Sequence, residues 1–224
     1  MPTVLVTGAG RGIGLEFVRQ YGAEGWSVIA TVRKAEDGDT LRAFGDIRIE
    51  LLDMRDFAAL ERFGERLAGK PLDLLIANAG ITSPGEMRTA EEANRFLEVL
   101  AVNSVAPTVL ASVLAPNVIA AKGKMVAITS QMGSIADNGS GGWLAYRASK
   151  AGLNAAWKTL AVDMAGEPIS FAMLHPGWVK TDMGGGGAPL APAESVTAMR
   201  RVIEGLGPGD KGLFLNHRGE TLPW

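Results

Sequence analysis

Short apolar runs rich in β-branched residues recur along this chain at regular intervals, with helical patterns between them. The runs are Thr3–Thr7, Ser27–Val32, Ile47–Leu52, Leu72–Asn78, Lys124–Thr129, Ile169–His175 and Leu213–Leu215. Most are continuously apolar rather than alternating, as expected for strands covered on both faces. The stretches between them, Gly14–Glu24, Asp56–Leu67, Thr89–Ala121, Leu144–Met164 and Pro192–Gly205, have helical composition. Asp56 is placed to cap the second helix, and Gly166–Glu167–Pro168 stops the fourth. This alternation requires right-handed βαβ units. The expected fold is therefore α/β: one Rossmann-type domain over residues 1–224, a doubly wound parallel sheet of about seven strands with helices on both faces. No internal repeat or interdomain linker divides the chain.

Composition removes several classes of function. A net charge of −2 over 224 residues gives no basic footprint for nucleic acid. The absence of cysteine excludes disulfides, thiol catalysis and cysteine-ligated metals together. His175 and His217 lie too far apart in sequence for a local metal motif, so no metal site is expected. His175 reads as a strand-end residue without chemistry. Met1–Gly14 lacks the basic start and apolar core of a signal peptide. Val99–Ala121 carries no charge over 23 residues, which is long enough to span a bilayer. However, Asn103, Ser104, Pro107, Ser112, Pro116, Asn117 and many alanines oppose insertion, and a helix buried between other elements is the expectation. No membrane partner is expected, and the chain reads as a soluble, cytoplasmic protein.

Glycine is the one unusual component, with 29 residues, against a typical share of about 7 %. Thr7-Gly8-Ala9-Gly10-Arg11-Gly12-Ile13-Gly14 follows the first strand and opens the first helix. Glycines there let the backbone turn tightly and approach a pyrophosphate, while the helix start offers free N–H groups and a positive dipole end. The spacing is G-x-x-x-G-x-G; the commoner G-x-G-x-x-G fingerprint and the P-loop both fail. The end of the second strand selects the dinucleotide, an acidic residue favouring a ribose hydroxyl and a basic one a 2′-phosphate. Here Arg33 and Lys34 follow Val32, with no carboxylate before Glu36. Arg11 and Arg33 converging on one anion would favour NADP(H) over NAD(H); the plain alternative is two solvated surface arginines. Gly184–Gly187 reads as a mobile loop that leaves an open, permissive pocket.

Tyr146 and Lys150 stand four residues apart on one predicted helix and therefore share a face. That helix follows the fifth strand, where a doubly wound sheet places ligands beyond the carboxyl ends of its strands. A nearby cation stabilises a tyrosinate and lowers the phenol toward working pH, which suits Tyr146 to acid–base work on a carbonyl or alcohol.

These residues together resemble the short-chain dehydrogenase/reductase family over nearly the whole chain. The resemblance implies cofactor contacts at Gly8, Gly10, Arg11, Gly12, Ile13, Gly14, Arg33 and Asp53. It extends them to Asn78, Ala79 and Gly80, and to Tyr146, Lys150, Pro176, Gly177, Val179 and Thr181. It implies a catalytic set of Asn103, Ser130, Tyr146 and Lys150. In that set NADPH delivers hydride to a carbonyl, Tyr146 supplies the proton and Ser130 bonds the oxygen. Lys150 lowers the tyrosine pKa and holds the nicotinamide ribose, and Asn103 positions a water that reconnects Lys150 to solvent. The plain alternative for Asn103 is a buried asparagine satisfying backbone groups. Gln131–Asn138, Ser140–Gly142, Ala145–Lys150, Thr181–Gly185 and the tail Leu222–Trp224 are similar to the C-factor and sniffer-type carbonyl reductases. Ala77 departs from the family's usual asparagine, and Ser130 lies 16 residues before Tyr146, which leaves Ser134, at 12, as a rival. Ser130 is preferred because it closes the strand, whereas Ser134 lies in the following loop. The expected partner is a small-molecule carbonyl substrate, with a homodimer formed through the Thr89–Ala121 and Leu144–Met164 helices. The other reading is a dinucleotide-binding, C-factor-like signalling or regulatory protein.

Overall fold

The computed structural model describes residues 1–83 and 87–224. Seven strands form one sheet: β1 (Thr3–Val6), β2 (Ser27–Val32), β3 (Ile47–Leu51), β4 (Leu74–Ala77), β5 (Lys124–Ile128), β6 (Ser170–His175) and β7 (Lys211–Asn216). Every strand pairing is parallel, in the order β3-β2-β1-β4-β5-β6-β7. The direction of winding reverses between β1 and β4, and a crevice opens there beyond the strand carboxyl ends. The α-helices are α1 (Gly12–Ala23), α2 (Phe57–Leu67), α3 (Ala90–Leu100), α4 (Ala106–Ala121), α5 (Leu144–Asp163) and α6 (Pro192–Gly205).

The continuous apolar strands divide their side chains between two cores, because the pleat sends alternate residues to opposite faces. Leu5, Ile29, Leu75, Met125, Phe171 and Phe214 pack against residues of α2, α4 and α5. Val4, Val28, Leu74, Val126, Leu174 and Leu215 pack on the other face, against Phe17, Val18 and Tyr21 of α1 and Val196, Met199 and Ile203 of α6. At about 25 cal/mol per Å² of apolar surface, two such layers are the main favourable contribution to folding.

Helix starts follow the local chemistry. The Asp56 carboxylate accepts from Ala59 N at 2.9 Å, as its sequence position anticipates. Thr89 and Glu92 form a reciprocal capping box at α3. The expected Thr89–Ala121 helix is a continuous helical run with a π turn, Ala101–Val105, between α3 and α4. Asn103 sits in that turn. The run as a whole meets the length and composition test for a membrane span. Leu110, Ala111, Leu114 and Val118 are nevertheless fully buried in the core against the sheet. A ten-residue 3-10 segment, Ala35–Phe44, was not legible as an element in the sequence.

Candidate active site

The glycine turn is shaped by backbone geometry and by close contact. Gly8 and Gly12 have φ of 64° and 56°, the left-handed region that side chains avoid. A Cβ on Gly14 would lie 2.3 Å from the Gly8 carbonyl oxygen, so α1 can seat itself against the turn only with glycine there. Gly10 meets Asp37 of the 3-10 segment, where a Cβ would be 2.8 Å from the Asp37 Cβ. Thr7 and Asn78 lock the turn to the end of β4. The Thr7 hydroxyl oxygen accepts from Asn78 N and Ala79 N, both at 3.0 Å, and Asn78 Nδ2 donates to the carbonyls of Thr7 and Gly8. No side chain caps α1 at Arg11, which leaves the start of that helix without a side-chain acceptor.

Arg11 and Arg33 each stand beside a carboxylate of their own. Arg11 Nη1 pairs with Asp182 Oδ2 at 3.1 Å, both side chains largely exposed, whereas Arg33 stands exposed within Coulombic reach of Asp53. The reason is tertiary: the Thr181 segment presses on the turn, and a Gly12 Cβ would meet the Thr181 methyl at 3.2 Å. That contact presents Asp182 to Arg11. Asp53 is held below the usual carboxylate range chiefly by its side-chain hydrogen bond with Arg55, which also reaches Glu98 of α3 at 3.2 Å.

Ser130, Tyr146 and Lys150 meet beyond the end of β5. Burial raises the Tyr146 phenol above its ordinary value, and a hydrogen bond with Ser130 opposes that rise. The sequence expectation was a phenol lowered by its lysine neighbour; desolvation dominates instead. Lys150 Nζ lies 5.9 Å from the tyrosine ring centroid and donates to the Ile128 carbonyl at 2.8 Å. Burial lowers the Lys150 ammonium from 10.5 to about 8. Asn103 Oδ1 accepts from Ile81 N and its Nδ2 donates to Ile81 O, each at 2.8 Å, and Nδ2 also donates to Ser149 Oγ at 2.9 Å. The backbone-satisfying role is thus present. Asn103 also flanks Gly80 together with Lys150: a Cβ on Gly80 would lie 3.3 Å from Asn103 Oδ1 and 3.8 Å from Lys150 Nζ.

Beyond β6, Pro176 accepts a hydrogen bond from Ser195 Oγ at 2.6 Å, and Gly177 takes φ 84° where a side chain would strike Leu190. Val179 bridges Leu190, and Thr181 faces Gly12. The first half of the Gly184–Gly187 loop, which the sequence suggests is mobile, is tied by hydrogen bonds. Gly184 N donates to Thr181 Oγ1 at 3.1 Å, Gly185 N donates to Thr181 O at 2.8 Å, and Trp178 Nε1 donates to Gly184 O at 2.8 Å. Trp178 was missed as the anchor because nothing in local spacing pairs an indole with a carbonyl six residues on. His175 stays outside the cluster, and burial lowers it to about 4, so it is neutral at working pH. Among the described residues no group of three or more metal-type side chains gathers.

A doubly wound sheet that brings a serine–tyrosine pair and a buried lysine beside a glycine turn is the architecture of an α/β oxidoreductase. The chain belongs to the short chain dehydrogenase family, which it matches over residues 2–187. It is 38 % identical to the C-signal protein of Myxococcus xanthus over 170 residues, 74 % of this chain and all of that one. It is also similar to the carbonyl reductase Sniffer of D. melanogaster, with 33 % identity, a TM-score of 0.91 and all of both chains covered. The NADPH-bound carbonyl reductase from chicken fatty liver gives 34 % identity and a TM-score of 0.89, over 100 % of this chain and 99 % of that one.

Proposed function

We propose that this protein reduces a ketone or aldehyde to an alcohol at the expense of NADPH. The observation that carries the reading is the juxtaposition of Ser130, Tyr146 and the buried Lys150 beyond the end of β5, with Lys150 Nζ 5.9 Å from the Tyr146 ring centroid and bonded to the Ile128 carbonyl. The residues present fit the cofactor: Gly8, Gly12 and Gly14 let the turn pack directly on Ala79, Thr181 and the Gly8 carbonyl, so its backbone lies bare at the start of α1, and that uncapped start suits a pyrophosphate. Gly10, Ile13, Asn78, Ala79, Gly80, Asp53, Pro176, Gly177, Val179 and Thr181 complete the walls that would hold it. Held there, NADPH supplies hydride to the carbonyl carbon. Arg33 favours the 2′-phosphate form, with Arg11 available to the same anion because its pair with Asp182 is solvent-exposed and weak.

The chain's own groups account for the rest of the reaction. A Tyr146 phenol kept protonated by burial donates its proton to the carbonyl oxygen. Ser130 donates a hydrogen bond to the same oxygen and stabilises the charge that develops there. Lys150, with a pKa of about 8, exchanges a proton close to working pH, and Asn103 lies across Gly80 from it as part of a route to solvent. Exposed Leu97, Val105 and Val162 leave apolar surface on the helices expected to form a homodimer.

The similarity to C-signal favours a second reading, a dinucleotide-binding regulatory protein. Tyr146→Phe separates the two. Carbonyl turnover should fall at least a thousandfold across a ketone and aldehyde panel, with NADPH affinity within about threefold of the parent. Retained turnover would discard Tyr146 as the acid, and a parent chain without turnover on any carbonyl would favour the regulatory reading.

A further inference from the structure

The segment from Gln131 to Trp143 connects the two proposed catalytic hydroxyls, so its course sets one wall of the space in front of them. Little of it is held by apolar burial: Ile135 is 79 % exposed and Trp143 46 %. Its first turn is fixed locally. Ser130 Oγ accepts from Met132 N at 3.1 Å, and Gly133 N donates to Ser130 O at 2.9 Å. Gly133 is pressed against α5, where a Cβ would stand 2.9 Å from the Lys150 carbonyl carbon.

The next fixed point comes from the far end of the chain. Ser134 is 2 % exposed; its hydroxyl oxygen accepts from Asp137 N at 3.0 Å, and its O–H donates to the Trp224 carbonyl at 3.3 Å. Ala136 N donates to that same Trp224 carbonyl at 2.9 Å. Trp224 is itself held by β7. Its ring is tilted against Phe214 with centroids 5.5 Å apart, Leu222 N donates to Phe214 O at 2.9 Å, and Thr221 bridges Leu215. Ser134, which spacing alone offered as a rival to Ser130, therefore has its hydroxyl engaged on both sides by main chain.

We propose that Ser134 and Trp224 act as a clamp that positions the Ser130–Tyr146 wall for the carbonyl substrate. This inference rests on the reductase reading above. Both are positioning residues: they hold the wall, and neither touches the reacting atoms. The glycine turn and its lock at Asn78 use none of these contacts, so cofactor binding should not sense the clamp.

The test compares the parent chain with three variants: a chain ending at Pro223, Ser134→Ala, and the two combined. Each single change should raise the carbonyl KM at least threefold while leaving the NADPH Kd within twofold. The combined effect should fall short of the product of the two single effects, because the variants share the Ser134–Trp224 contact. Amide exchange at Ala136 should rise at least tenfold in the shortened chain, which reports the clamp independently of turnover. Unchanged KM in both single variants, independent effects that multiply, or a parallel loss of NADPH affinity would overturn the proposal. If the shortened chain fails to fold, Ser134→Ala alone decides by the same KM-against-Kd split. A parent chain inactive on every carbonyl would overturn the reductase reading and the clamp with it. Parent turnover with unaffected variants would overturn the clamp alone.

Discussion

At pH 7 the Lys150 ammonium sits in a buried position that disfavours its charge and donates to the Ile128 carbonyl. Its pKa is about 8 in the fold against 10.5 unperturbed, so between those values the unfolded chain binds more protons than the folded one. Stability should therefore rise with pH across that window, and the full cost is present below pH 8. Lys150→Met should be more stable than the parent at pH 7, by on the order of 1–3 kcal/mol, and inactive. The difference should shrink toward pH 10. Urea unfolding of both chains at the two pH values checks this, and a Lys150→Met variant less stable than the parent at pH 7 would contradict it. Arg33 makes a second case at this scale. Its side chain is exposed and makes no hydrogen bond among the described residues, so Arg33→Ala should leave stability unchanged. It should raise the KM for NADPH by about tenfold or more and barely alter that for NADH. Equal effects on both cofactors would remove its assignment to the 2′-phosphate.

Among the elements, the glycine turn shows how much of the site was legible in the chain. The G-x-x-x-G-x-G spacing between a strand and a helix identified a cofactor turn, and the positive φ of Gly8 and Gly12 fits that reading. What spacing could not show is what each glycine faces. Gly14 is needed because Gly8 O and Asn78 Nδ2 would lie 2.3 and 2.6 Å from its Cβ. Gly14→Ala should cost about 1–3 kcal/mol by overpacking. A chain of this size should then lose roughly 2–4 °C in Tm per kcal/mol, with NADPH binding weakened as well. Calorimetry and cofactor titration measure the two effects, and an unchanged Tm would mean that α1 can shift away from the turn. The long uncharged helix packs Leu110, Ala111, Leu114 and Val118 against the sheet, in line with its reading. Its π turn at Ala101–Val105 was not legible, because one extra residue per turn leaves no mark on an apolar pattern. That turn is what places Asn103 against Ile81, Ser149 and Gly80.

For the whole molecule, the order of apolar runs determined the parallel doubly wound sheet, because strands buried on both faces must be joined by helices that cover them. The order of motifs likewise determined that Ser130, Tyr146, Lys150, Asn78, Pro176 and the glycine turn all follow strands or open helices at one edge of the sheet. These properties are local or periodic, and so they are written in neighbouring residues. Contacts across many residues were decided only in the folded chain. Arg11 pairs with Asp182 because the Thr181 loop packs on Gly12, and the Trp178 indole reaches back to the Gly184 carbonyl. Trp224 reaches Ser134 across 90 residues because β7 carries it there. Burial decided the protonation balance as well, raising Tyr146 and lowering Lys150, since desolvation depends on everything packed around a group and not on its spacing from its neighbours.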